Sequence, residues 1–128
     1  MIVDTSAIMA ILLDEPERPS FVAMLAQTTL PRISAGSWIE LAAVQGRGNR
    51  DFRHALERLV TEFGLRVEPV STEQARIGAE AYRTYGQGSG HRARLNFGDC
   101  FAYALARESA EPLLFKGDDF GHTDVRAA

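Results

Sequence analysis

Cysteine is nearly absent from this chain of 128 residues, where Cys100 stands alone. A single thiol closes no internal disulfide and has no second thiolate for a zinc site, so stability has to come from packing. No apolar run approaches the roughly 18 residues needed to cross a bilayer, and the first residues lack the basic patch and apolar stretch of a secretory signal. The expectation is a soluble, cytoplasmic protein with no membrane span. Internal repeats and low-complexity segments are also missing. Cations are outnumbered, with 14 Lys and Arg against 17 Asp and Glu and a formal net charge of −3. That balance argues against coating nucleic acid by bulk electrostatics, but it permits a local basic patch or a metal that reverses the sign at one site.

What is present, 45% hydrophobic and 24% charged residues, suits one domain spanning 1–128 with a moderate core. The apolar pattern alternates between short runs and helical spacing. Residues 1–3 read as a strand, Ser6 as the cap of a helix to residue 13, and Asp14, Glu15 and Pro16 as its stop. A helix follows Pro19, PRIS reads as extended, and further helices are expected over 36–44 and 50–63, the last closed by Gly64. LRVEPV is a strand, STEQ opens a helix to residue 85, and GQGSGHRARLN is a loop. Asn96 caps a final helix, PLLF is a strand, and KGDDFGHTDV is a turn with a short edge strand. Short strands alternating with helices imply an α/β layered domain with a mainly parallel sheet, because parallel strands need helical crossovers.

In such sheets ligands collect at the carboxyl ends of the strands. Asp4 follows the first strand, Glu40 lies early in the helix after PRIS, Asp99 opens the last helix, and Asp118 and Asp119 follow PLLF. A parallel fold brings these acids to one rim. Gathered carboxylates repel unless a cation neutralises them, and an all-oxygen set suits Mg²⁺ or Mn²⁺. Such a site points to metal-assisted displacement at phosphorus. Each acid also has a purely structural reading. Asp4 can cap the first helix, Ser37 and Glu40 match a capping box, Asp99 suits a helix start, and Asp118 and Asp119 are ordinary turn residues. Phe97, Phe101 and Leu105 form an apolar stripe, with Asp99 on a different face.

IVDTSAI, SWIELAAV, NFGDCFAYALA and LLFKGDDFGHTDV together resemble a PIN-domain ribonuclease, specifically the VapC toxins of bacterial toxin–antitoxin pairs. The resemblance spans nearly the whole chain. It implies a three-layer α/β/α sandwich with a short, mainly parallel sheet, hydrolysis of RNA phosphodiesters with carboxylate-bound Mg²⁺ or Mn²⁺, a cognate VapB-like antitoxin, and a homodimer. Carried over by position, Asp4 and Asp99 are the principal metal ligands, Glu40 a further acid, and the KGDDF turn the source of the fourth. Asp118 and Asp119 compete for that place, and Asp119 is preferred because Phe120 anchors the turn beside it. Ser6 supplies a supporting hydroxyl. Glu40 or Asp119 then orients the attacking water, leaving a 5′-phosphate and a 3′-hydroxyl.

Candidate RNA contacts are Arg92 and Arg94 in GHRAR, beside a glycine-rich loop that lets a backbone approach closely, and Arg47, Arg50 and Arg53 in RGNRDFR. His91 and His122 are weaker candidates for proton donation, and His54 reads as solvent-facing. Trp38, Tyr82 and Tyr85 are read first as core or partner-groove packing and only second as base-stacking surfaces. Apolar residues of the early helices, Ile8, Ile11, Leu12, Phe21 and Met24, serve as core or line a groove for an antitoxin tail. Two other classes fit less well. A haloacid-dehalogenase-like phosphatase needs D-x-D, but Ser6 stands two residues after Asp4. A non-catalytic interaction module on the same fold is the other.

Overall fold

The computed structural model describes residues 1–45 and 52–128. Four short strands, β1 (Ile2–Val3), β2 (Arg32–Ser34), β3 (Arg66–Glu68) and β4 (Leu113–Leu114), form one sheet in the order β3-β2-β1-β4. Every pairing is parallel, with Ile2 opposite both Arg32 and Leu113 and Ile33 opposite Val67. Six helices connect them: α1 (Thr5–Leu12), α2 (Arg18–Gln27), α3 (Ala35–Gln45), α4 (Arg53–Phe63), α5 (Thr72–Tyr85) and α6 (Asp99–Ser109). None of the described helices is long and apolar enough to cross a membrane.

Alternation along the strands decides the layers. Val3, Ile33 and Leu114 pack with Ile8, Phe21, Leu25, Leu41 and Leu59 from the first four helices. Ile2 and Leu113 point the other way, into Ala81, Leu95, Ala102, Leu105 and Phe120. Two cores flank one sheet, which gives the expected α/β/α sandwich. Leu56 and Leu59 are the buried stripe of α4, and Gly64 ends that helix in the left-handed conformation at φ +63°, where a Cβ would be strained. Ser71 caps α5 by accepting from the Gln74 N–H, which resolves the one-residue ambiguity in STEQ.

Four local expectations change, the first being that α2 begins at Arg18 with Pro19 inside its first turn rather than before it. Helix α1 starts at Thr5, and its cap is Asp4, whose carboxylate accepts from the Ser6 N–H; Ser6 is already helical. The turn after β4 forms a 3₁₀ helix at Phe120–His122, and Ala127 rather than a residue of KGDDFGHTDV bridges to Leu113. The α4 start falls at Arg53, and the part of its expected range at residues 50–51, with Arg47 and Arg50, lies outside the described residues.

Candidate active site

Asp4 leaves the carboxyl end of β1, its N–H donating to the Leu114 carbonyl at 2.9 Å. The side chain is 2% exposed, and its two oxygens have separate fates. Oδ2 accepts from the Ser6 N–H at 2.9 Å and from Ser6 Oγ at 2.6 Å. Oδ1 is sealed from solvent and accepts nothing. The capping reading of Asp4 therefore holds on one oxygen, while the other is left without a donor. Ser6 Oγ also accepts from the Lys116 N–H at 3.0 Å, which ties the carboxylate to the strand end that leads into the acidic turn. Lys116 is itself clamped, its ammonium 3.0 Å from both Glu15 Oε2 and Glu17 Oε2. Only the first of these contacts also has hydrogen-bond geometry, so the second is a charge contact.

Glu40 does not form the capping box its spacing suggests. Helix α3 begins at Ala35, so Ser37 lies inside it with a buried Oγ that has no partner. Glu40 Oε2 accepts instead from Thr5 Oγ1 at 2.8 Å, and that hydroxyl also reaches the Ser37 carbonyl at 3.3 Å. Thr5, which the sequence reading passed over between Asp4 and Ser6, thus fixes the second acid. Its signal was the unbroken D-T-S run at a strand end. Gly98 supplies the space, because a Cβ there would stand 2.0 Å from Glu40 Oε1.

Asp99 and Asn96 hold each other reciprocally. Asp99 Oδ2 accepts from the Asn96 N–H at 2.7 Å and Asn96 Oδ1 accepts from the Asp99 N–H at 3.0 Å, which fixes the α6 start. Burial is the main force on the Asp99 carboxyl and lifts it to about 7; the Asn96 hydrogen bond opposes, and the charges of Asp4, Glu40 and Asp119 add. Burial likewise raises Asp4 above its ordinary value, against the Ser6 hydrogen bonds and with help from Glu40. Acids from three other parts of the chain, Asp4, Glu40 and Asp119, thus act on Asp99. Asp118 is not among the charges that raise Asp99; both turn acids are exposed.

The other candidates scatter. Arg92 and Arg94 are exposed and have no ion pair among the described residues. His91 accepts from the Ala93 N–H through Nδ1, His54 is exposed, and His122 ends the 3₁₀ turn. Trp38 packs on the first core and Tyr85 on the second. Ile8, Ile11 and Phe21 are core, although Ile11 also lines a groove of about 590 Å³ with Leu12, Val22, Leu59 and Phe63. Phe97 corrects the apolar stripe: it is 74% exposed, whereas Leu105 is buried.

The donor set fits a hard divalent ion. A sealed, unpartnered carboxylate oxygen on Asp4 costs free energy unless a cation or donor meets it, and Asp99 is pushed toward protonation by burial and, to a lesser degree, by acids whose charge a cation would offset. Among the described residues no three His, Cys, Asp or Glu side chains converge as a ready cage.

A family model described as PIN domain matches residues 1–126. Ribonuclease VapC42 of Mycobacterium tuberculosis is 49% identical over 129 residues, covering 100% of this chain and 98% of its own. Ribonuclease VapC28 of the same species is 50% identical over 130 residues, covering 100% and 97%. Among solved structures, M. tuberculosis VapC20, titled a sarcin-ricin loop cleaving toxin, superposes with a TM-score of 0.69 at 20% identity over 98% of both chains. A toxin-antitoxin complex from Klebsiella pneumoniae gives 0.70 at 16% identity over 99% of this chain and 95% of that one. At those identities the two structures speak for the fold alone.

Proposed function

The chain belongs to the PIN-domain family, among relatives that are VapC ribonucleases, and from that premise we propose that it hydrolyses RNA phosphodiesters with a divalent ion held by Asp4 and Asp99. The reading is carried by the unpartnered Oδ1 of Asp4, together with an Asp99 carboxyl that burial first, and the neighbouring acids second, lift to about 7. When bound, Mg²⁺ or Mn²⁺ neutralises the gathered carboxylates and offsets charge building on the phosphate. Ser6 keeps Asp4 oriented through two donors, and Asn96 does the same for Asp99. Thr5 holds Glu40 by donating to its Oε2, and Glu40 with the fourth acid would orient the attacking water. We assign the fourth place to Asp119, whose charge reaches Asp99, and leave Asp118 as a turn residue.

Asn is as good a helix cap as Asp. Asp4→Asn therefore keeps the fold and removes the charge. RNA cleavage in Mg²⁺ or Mn²⁺ is expected to fall about 10²- to 10⁴-fold in Asp4→Asn and in Asp99→Asn. The rise in thermal stability that the ion gives the wild type should vanish with it. Cleavage within a few fold of wild type in both variants would overturn the assignment.

The partner belongs to the same reading. An antitoxin segment with apolar side chains suits the groove of Ile11, Leu12, Val22, Leu59 and Phe63, rimmed by Arg18, Arg58, Asp14 and Glu62. Action on cellular RNA places the protein in the cytoplasm, and a homodimer completes the assembly, which its sedimentation mass checks.

A further inference from the structure

We propose that residues 92–97 form a ledge that holds unpaired RNA beside the acids, with Phe97 as the surface on which one base stacks and Arg92 and Arg94 as its phosphate contacts. The proposal rests on the ribonuclease reading and deepens it by naming the form of the substrate. The ledge is anchored from beneath: Ala93 and Leu95 are fully buried, whereas Arg92, Arg94, Asn96 and Phe97 are exposed. Leu95 is pinned through its backbone, donating to the Tyr85 carbonyl at 2.9 Å and accepting from the Gln87 N–H at 2.9 Å. Arg94 adopts φ +53°, a left-handed conformation unusual for a residue with a Cβ. Neither arginine meets a carboxylate among the described residues, so both guanidinium groups are open to an anionic ligand.

Phe97 is the more telling residue. A phenylalanine left 74% exposed forgoes most of the stabilisation that burial would give, so folding does not explain its position. The ring is nonetheless held in place. It stands edge-to-face with Phe101, centroids 5.1 Å apart at 83°, and Phe101 rests where Gly36 has no Cβ, since an added one would come within 2.3 Å of that ring. Beside Phe97 runs an apolar groove of about 420 Å³ lined by Val70, Tyr82, Cys100, Phe101 and Ala104. Asp99 is two residues further along.

Exposed cations interleaved with an aromatic, on a rigid strip that ends at the acids, match the requirements of single-stranded nucleic acid: charge along the backbone and a flat face for a base. A base paired within a duplex has no free face to offer, so the occupant is single-stranded or looped RNA. Stacking accepts any base, which makes Phe97 a residue that sets where the strand lies rather than one that reads its sequence.

The test uses short single-stranded RNAs carrying the fluorescent base 2-aminopurine at successive positions, bound to the non-cleaving Asp4→Asn protein. Quenching is expected at one position, lost in Phe97→Leu with about a tenfold fall in affinity, and restored in Phe97→Tyr. Arg92→Gln and Arg94→Gln should keep the quench and each lower the salt dependence of binding by roughly one phosphate contact. A quench unchanged in Phe97→Leu overturns the proposal. So does a lower sedimentation mass in that variant with RNA affinity unaffected, which would make the ring a contact between copies. Failure of the wild-type protein to cleave any RNA would instead remove the ribonuclease reading itself, a separate result.

Discussion

The two edges of the parallel sheet hold acids under opposite terms. At the edge where strands begin, Glu111 accepts from the Met1 ammonium and from Arg32. Burial alone would raise Glu111, but these cations outweigh it and hold its carboxyl below the ordinary range. At the edge where strands end, Asp4 and Asp99 have no cation partner among the described residues, and burial with mutual repulsion raises both. One edge is satisfied and stabilises the fold. The other is left short of positive charge, at a cost in stability that the rest of the domain carries.

If that division is right, damage at each edge should show in a different measurement. Gly98→Ala is expected to have the largest effect at the strand-end side. Its new methyl displaces the Glu40 carboxylate from Thr5, and RNA cleavage should fall about tenfold or more, because small misplacements in a site are costly. The displaced atoms end a flexible side chain, so melting should change little. Glu111→Gln should do the reverse: a loss of about 1 kcal/mol, read as a melting temperature lower by roughly 4 °C, with cleavage unchanged. An activity loss in Glu111→Gln matching that of Gly98→Ala would erase the distinction between the edges.

The smallest effect concerns pH and also has opposite signs at the two edges. Asp99 keeps its proton in the folded state up to about pH 7 against 3.8 unfolded, so the folded form binds more protons in that window. The stability of ion-free protein should therefore decline as pH rises from about 5 to 7. Asp99→Asn should flatten that decline, measured by melting in chelator. Glu111, depressed below its ordinary 4.5, contributes stability above that value and loses it as pH falls through its folded pKa. An ion-free wild-type protein whose stability rises from pH 5 to 7 would show that Asp99 is not held protonated.

Much of this contrast was legible before any coordinates. The alternation of short apolar strands with helical spacing announced the parallel sheet, and its rule for strand ends placed Asp4, Glu40, Asp99 and the KGDDF turn on one rim. The errors were local and instructive. A hydroxyl at Ser6 suits a helix cap, but Asp4, two residues earlier, takes that place by accepting from the Ser6 N–H itself. The S-W-I-E spacing suggested a capping box, yet α3 starts two residues before Ser37, leaving Glu40 free to meet Thr5, 35 positions away. Phe97 has the spacing of a core residue but sits before α6 begins, where helical periodicity does not govern its direction.

Residue order by itself determined which segments are strands and helices, which acids exist and which strand each one follows. Those properties depend on neighbours within a turn or two, and hydrophobic period and capping chemistry record them. Only the folded chain decided that Asp4 caps with one oxygen and leaves the other unpaired, that Thr5 rather than Ser37 holds Glu40, and that Phe97 faces outward. Each of these is settled by contacts across tens of residues and by the space that Gly36 and Gly98 leave open, and no local pattern encodes such space.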